Sequence, residues 1–190
     1  MIRRAVAAAR RLAGLGAAAV LVACGGDAAP TETDGPLERD ASAAFQTDSM
    51  SYGLVRTTQE YQGRVEMQYT NRRNDTVYVA NCGGATAVKL ERLVAGQWRT
   101  AFEPPVFNCF SQPIVIAPGA TRRFTLLIGA GVQGSAVEPR WPYADVEGTY
   151  RVVWGQFLTS YREDRSPKGD ALPLDQRLSN RFRLVLSTVR

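Results

Sequence analysis

The chain has 190 residues, of which 23 are basic and 18 acidic, and it contains no histidine. The absence of histidine excludes serine–histidine and cysteine–histidine catalysis and removes the commonest protein ligand for transition metals. The formal net charge of +5 is concentrated at one end, because four arginines lie within the first eleven residues.

Residues 1–23 have the organisation of an export signal. The four arginines precede an apolar run of 12 residues, from Leu12 to Ala23. A membrane-spanning helix needs roughly 20 apolar residues, so this shorter run predicts a signal peptide. Without the signal the chain carries 19 basic and 18 acidic side chains. That balance excludes a nucleic-acid partner, which requires a basic footprint.

The signal ends in Leu21-Val22-Ala23-Cys24-Gly25, which resembles the lipobox of bacterial lipoproteins. The resemblance implies cleavage before Cys24, transfer of diacylglycerol to its thiol and acylation, for example with palmitate, of the new N-terminus. Two or three acyl chains hold a protein stably on a membrane. Gly25 stands where an aspartate commonly retains lipoproteins at the inner membrane. The expected location is therefore the outer membrane, on its periplasmic or its surface face.

Residues 24–48 are predicted to form the lipidated N-terminus and a disordered tether, and residues 49–190 a single domain. The tether is rich in Gly, Ala, Pro, Thr, Asp and Glu and has almost no large apolar side chains. Such a segment cannot bury enough surface to offset its ordering entropy. The remaining length of about 140 residues is sufficient for one hydrophobic core.

From Met50 onward, apolar residues alternate with polar ones, a pattern typical of half-buried strands. Turn-forming residues over 71–75 predict a hairpin, and long loops are expected over 129–148 and 160–175. Seven or eight strands without a helix predict an all-β, antiparallel sandwich or barrel. The predicted strand segments are 65–69, 76–80, 88–91, 97–99, 114–116, 124–128, 150–154 and 182–186.

Two cysteines remain once Cys24 is assigned to the lipid. In an oxidising compartment, Cys82 and Cys109 predict a disulfide, which would contribute on the order of 3 to 4 kcal/mol by closing its loop. A metal site is the alternative, but two cysteines without histidine provide too few ligands. No metal or other cofactor is expected.

The segment 145–152 resembles the approach to strand F of immunoglobulin-like domains. A glycine two residues before Tyr150 matches the motif, in which the tyrosine forms a corner hydrogen bond. Val152 stands at the family's cysteine position, so the usual inter-sheet disulfide is absent. The motifs Gly-Gln-Trp, Ala-Pro-Gly-Ala and Leu-Ser-Asn-Arg-Phe-Arg-Leu extend the resemblance over residues 50–190, to the immunoglobulin-like domains of small bacterial surface lipoproteins. It implies an immunoglobulin-like sandwich and no particular activity.

Five side chains are candidates for a contact surface. Trp141 and Tyr143 flank a proline in a predicted loop, where an aromatic ring can be exposed to a partner. Arg151, Arg181 and Arg183 are expected to share the outward face of neighbouring strands, as an anion-contacting patch. The alternative for the arginines is pairing with acids on adjacent strands or keeping an edge soluble.

Three functions are compatible with these features. The first is a non-enzymatic, lipid-anchored module that binds a protein or glycan of the cell envelope through its loops, or an accessory part of an envelope assembly. The second is a protease inhibitor that presents the disulfide-pinned loop 83–108. The third, ranked lowest, is a hydrolase that uses carboxylates such as Asp145 and Glu147, which are better explained as solvated loop charges.

Replacement of Cys24 tests the lipoprotein prediction. In Cys24→Ser, labelling with a radioactive or clickable fatty acid should be lost and the unprocessed precursor should accumulate, because the thiol is the acylation site. Labelling and the electrophoretic size of the product measure both effects. Normal cleavage and release of the variant would contradict the prediction.

Overall fold

A computed structural model describes residues 37, 42–43, 45–82, 88–105, 111–155, 157–161 and 167–187. These residues belong to a single compact unit and contain twelve strands and one short 3-10 helix. The strands are β1 (Phe45–Thr47), β2 (Ser51–Arg56), β3 (Glu60–Thr70), β4 (Val77–Val79), β5 (Val88–Val94), β6 (Gln97–Phe102), β7 (Ile114–Ile116), β8 (Thr121–Gly131), β9 (Gly148–Trp154), β10 (Phe157–Tyr161), β11 (Pro167–Ala171) and β12 (Phe182–Ser187), and the 3-10 helix is Leu174–Arg177.

The all-β prediction is confirmed, and each of the eight predicted segments lies in or over a strand. The predicted number of strands is wrong, because β1, β2, β10 and β11 were not expected. β1 has only three residues, and β2 buries only Leu54 completely. β11 has the sequence Pro-Lys-Gly-Asp-Ala and interrupts a predicted loop. None of these four strands has the long alternation that identifies a strand in sequence.

The predicted boundary between tether and domain is wrong by several residues. β1 lies inside the segment assigned to the tether, and its Phe45 side chain is completely buried. Thr47 is also buried, at 1% exposure. The folded domain therefore begins at or before Phe45, while most of the predicted tether lies outside the described residues.

The larger sheet has eight described strands, and β3 pairs with three of the others. β8 pairs with β3 along its whole length, and β1 and β2 also pair with β3. From β2 the order continues through β12, β9 and β5 to β6, while β11, β10, β4 and β7 form a second, four-stranded sheet. All strand pairs are antiparallel except β2 with β12, where Ser51 lies opposite Arg183. The purely antiparallel prediction is wrong at this pair.

Aromatic side chains from different strands of the large sheet meet in one core. Phe45 of β1 stacks on Trp154 of β9, with ring centroids 4.3 Å apart. Phe124 of β8 meets the same indole edge-on at 5.2 Å. The described parts of β1, β8 and β9 therefore contribute to one common hydrophobic core.

Two buried asparagines join segments that are distant in sequence. Asn180 accepts hydrogen bonds from the backbone N–H and the hydroxyl of Thr47, at 2.7 and 3.2 Å, and so links the start of β12 to β1. Asn71, which is fully buried, donates to the carbonyls of Asp75 and Ile116, at 2.8 and 2.9 Å. Its backbone N–H also donates to Ala120 O. Asn71 thus joins the end of β3 to β7 and to the turn before β8.

Asn71→Ala should destabilise the domain by about 2 to 4 kcal/mol, because it leaves the buried Ile116 carbonyl and the part-buried Asp75 carbonyl without their donor. Thermal or urea unfolding measures the change in the free energy of unfolding. Asn74→Ala is the matched control, since Asn74 is exposed in the neighbouring turn. A loss of the same size in both variants would show that the Asn71 side-chain bonds are not the cause.

Candidate contact surface

The outward face of β5, β6 and β9 carries a cluster of three side chains: Glu91, Trp98 and Arg151. Glu91 lies directly opposite Arg151 in the strand register. Arg151 Nε donates to Glu91 Oε2 at 2.8 Å, and Nη2 lies at the same distance from that oxygen. The guanidinium carbon lies 4.3 Å from the centre of the Trp98 ring, within cation–π range.

This cluster is rigid and nearly neutral. The side chains of Arg151 and Glu91 are only 18% and 19% exposed, so the ion pair is more shielded than a typical surface pair. Stacking on Trp98 fixes the plane of the guanidinium. The surface offers a partner an ordered indole and an arginine with part of its donor capacity used by Glu91. Of the two alternatives for Arg151, pairing with an acid on the adjacent strand is the one observed.

The structure brings part of the predicted arginine set together. Arg183 is exposed and lies opposite Thr149, two residues from Arg151 on β9, so both arginines occupy the outward face of neighbouring strands. Arg181 is half-buried immediately before β12. Arg151 and Arg183 therefore lie on one outward face, and the anion-contacting role of this set stays a prediction.

The expected exposure of Trp141 is wrong. Its side chain is 1% exposed and packs against Tyr61, Phe102 and Tyr150, with ring centroids 5.9 to 6.5 Å away. The reason lies in the backbone, because Trp141 N donates to Gly131 O at 2.9 Å. That bond extends the pairing of β8 into the loop and directs the indole into the hydrophobic core. Within the described residues, the indole Nε1–H of Trp141 has no hydrogen-bond partner.

Tyr143 is half-buried and belongs to a different assembly, centred on Arg92. The Arg92 guanidinium lies 5.0 Å from the Tyr143 ring centre and donates to the backbone carbonyls of Asp145 and Glu147. The Arg92 side chain is 16% exposed. Sequence reasoning missed this residue, although Arg92 continues the buried phase of Val88 and Leu90 along β5. An arginine on the apolar phase of a strand is the signal that identifies it.

The loop 143–148 is held by further bonds that occupy its carboxylates. Asp145 Oδ1 accepts the N–H of Glu147 at 2.8 Å, and Glu147 Oε1 accepts the N–H of Leu186 at 3.1 Å. Tyr150 donates its hydroxyl hydrogen to Val146 O at 2.7 Å. Burial raises the pKa of Tyr150 far above its usual value of 10, so this donor stays protonated. These contacts give both carboxylates a structural role in the loop.

The cysteine prediction is only partly within the described residues. Cys82 is buried at 7% exposure and is in the disulfide-bonded form. Cys109, its predicted partner, and Cys24, the predicted lipidation site, lie outside the described residues, so the pairing and the acylation stay predictions. The expectation that 83–108 is one presented loop is wrong, because β5 and β6 occupy half of it and β5 lies inside the large sheet.

A groove of about 550 Å³ lies along the outward face of β1 and β3. Its Glu66 accepts hydrogen bonds from Arg64 and Thr125, which hold the pKa of that carboxyl below its usual value.

Among the described residues, no group of three or more metal-ligating side chains is placed to hold a metal ion. Nor does the described part of the chain contain a helix long and apolar enough to cross a membrane.

Comparison with known proteins gives no match to any protein-family model, any curated protein or any solved structure. The residues and contacts of the chain itself therefore carry the functional proposal.

The role of Arg92 is tested by Arg92→Ala and Arg92→Lys. Both variants should lose about 2 to 4 kcal/mol of stability, because a lysine keeps the charge but lacks the planar fork whose two nitrogens each bond one carbonyl. Amide hydrogen exchange should accelerate first over residues 143–148. Arg99→Ala is the control, since the exposed Arg99 lies opposite Arg92 on β6. Full protection of the loop in Arg92→Lys would show that charge alone holds it.

Proposed function

We propose that this chain is a lipid-anchored module of the bacterial cell envelope, in the outer membrane, that binds a protein or another envelope component without catalysis. The membrane anchor rests on the lipobox-like segment that ends at Cys24. The signal peptide before it is short, basic at its start and apolar at its end, as expected for export. The binding role rests on the outward face of β5, β6 and β9.

The domain is proposed to be an immunoglobulin-like sandwich. The observation in support is the hydrogen bond from the Tyr150 hydroxyl to Val146 O at 2.7 Å. The tyrosine corner of that architecture has the same residue near the start of the same kind of strand, bonded to the backbone a few residues upstream. The layered packing of Phe45 and Phe124 on Trp154 is a second support.

The single observation that favours binding is the cluster Glu91–Trp98–Arg151. Tryptophan and arginine are the residues most enriched among those that dominate interface energies. Here the ring contact and the ion pair already hold both side chains, so Trp98 and Arg151 lose less conformational entropy when a partner binds. Arg183 on the same face adds an exposed positive charge. The preferred partner surface is therefore flat and partly apolar, with an acidic group placed to meet Arg183.

Protease inhibition is the second proposal. Strands β5 and β6 reduce the part of 83–108 that could be presented to a protease as a loop. Because β5 and β6 occupy residues 88–94 and 97–102, the described part of 83–108 leaves only the two-residue turn 95–96 and residues 103–105 outside the strands. Glu103 and Pro105 are exposed there. An inhibitor should block one member of a protease panel at near-stoichiometric ratios and lose this inhibition on Cys82→Ser.

A carboxylate-dependent hydrolase stays the lowest-ranked proposal, since loop bonds occupy Asp145 and Glu147.

The binding face is tested by crosslinking in intact cells of the producing bacterium. The unmodified chain should capture one dominant envelope partner, and Trp98→Ala and Arg151→Gln should each reduce its yield at least about tenfold, the effect expected of central interface residues. Arg99→Ala should leave the yield unchanged, since it is an exposed arginine on the same hairpin. Matching melting temperatures exclude misfolding. Capture that is equal in all variants would exclude this face.

A further inference from the structure

Backbone bonds at the two ends of β8 show which of its groups point to β3. Ala120 O accepts a hydrogen bond from Asn71, and Val132 N donates to Gln59 O, so even-numbered positions bond toward β3. Gly131 instead bonds to Pro139 O and Trp141 N on the other side. Because strand groups alternate, the N–H and C=O of 123, 125, 127 and 129 also point away from β3.

Within the described residues, only the end of this second edge is paired, at the bridge from Gly131 to Arg140. The stretch 123–129 contains no proline and no acidic residue. Its Leu127 side chain is 67% exposed, the highest value among the large apolar residues of the described chain. A long, regular and unprotected edge is a template for another strand.

We propose that the edge of β8 pairs antiparallel with β8 of a second copy of this chain, about a two-fold axis at Leu126. Arg123 then lies opposite Gly129 of the second copy, and Thr125 lies opposite Leu127. All four outward-pointing residues of each edge exchange backbone hydrogen bonds. The contact is isologous, as expected for a closed dimer.

Charge complementarity selects this register. Glu60 lies on the same outward face, and its Oε2 is 3.8 Å from the position that a Cβ atom would take at Gly129. Oε1 of Glu60 accepts a bond from Gln62 at 2.6 Å. Since glycine leaves the space open, Arg123 of the second copy meets the Glu60 carboxylate there. The two-fold axis repeats the ion pair, so the dimer contains it twice.

The position of the positive charges favours the antiparallel direction. Arg122 and Arg123 lie together at one end of β8, and 124–131 carries no charge. Antiparallel pairing keeps the arginines of the two copies about 20 Å apart, at roughly 3.3 Å per residue. Parallel pairing would place them side by side, which is destabilising. The contact is small, so the dimer is expected to be weak, with a dissociation constant on the order of micromolar or above.

The test is sedimentation equilibrium of the full chain in a density-matched detergent, over a wide concentration range. The unmodified chain should dimerise reversibly. Glu60→Arg and Arg123→Glu should each raise the dissociation constant at least about tenfold, because two attractive pairs become repulsive. The double variant restores both pairs with reversed sign and should return to within about threefold of the original. Arg122→Glu reverses the neighbouring charge, at a position whose backbone groups bond toward β3 and whose side chain lies on the opposite face from Arg123. This control should change the dissociation constant less than about threefold.

Amide hydrogen exchange supplies a measurement that depends on the backbone. Exchange of residues 125 and 127 should be fast in dilute solution and slow as the dimer forms, with unchanged melting temperatures for all variants. A chain that stays monomeric at every concentration overturns the proposal. So do equal effects of all three reversals, failure of the double variant to restore association, and amides at 125 and 127 that are already protected in the monomer.

Discussion

The fold depends on the closure of one long sheet around Phe45. This ring, in a strand of only three residues, stacks on Trp154 at 4.3 Å and so packs the first described strand against β9. Asn180 bonds to the backbone of Thr47 in the same strand, which ties the beginning of the domain to the start of its last strand. Without this closure, the apolar faces of β3, β8 and β9 would be exposed to water.

The contact surface follows from that closure. Because Tyr150, Val152 and Trp154 turn into the core, Arg151 must project from the opposite face of β9. There it meets Glu91 of β5 and the Trp98 ring of β6. The same alternation on β8 buries the even-numbered residues from Phe124 to Ala130 and leaves Arg123, Thr125 and Leu127 outside. One rule, that successive side chains on a strand point to opposite sides, therefore places both candidate surfaces.

Sequence alone predicted the strands with long alternation, such as β3, β8, β9 and β12, since apolar residues recur at every second position in their sequences. It could not predict β1, because three residues in a polar segment carry no period. The inward direction of Trp141 depends on a bond to Gly131, ten residues away, which no local pattern encodes. The pairing of Arg151 with Glu91 depends on the register of two strands sixty residues apart. Tertiary packing decides such contacts.

The parallel pairing of β2 with β12 has a mechanical consequence. Both strands run in the same direction, with five residue pairs in register between them. A pull applied at Ser51, the start of β2, and at Ser187 of β12 acts along this pair, so its hydrogen bonds are loaded in shear and share the force. An unzipping geometry would break them one after another. Resistance to such a pull is set by the unfolding rate, and this strand pair places the load where the bonds act together.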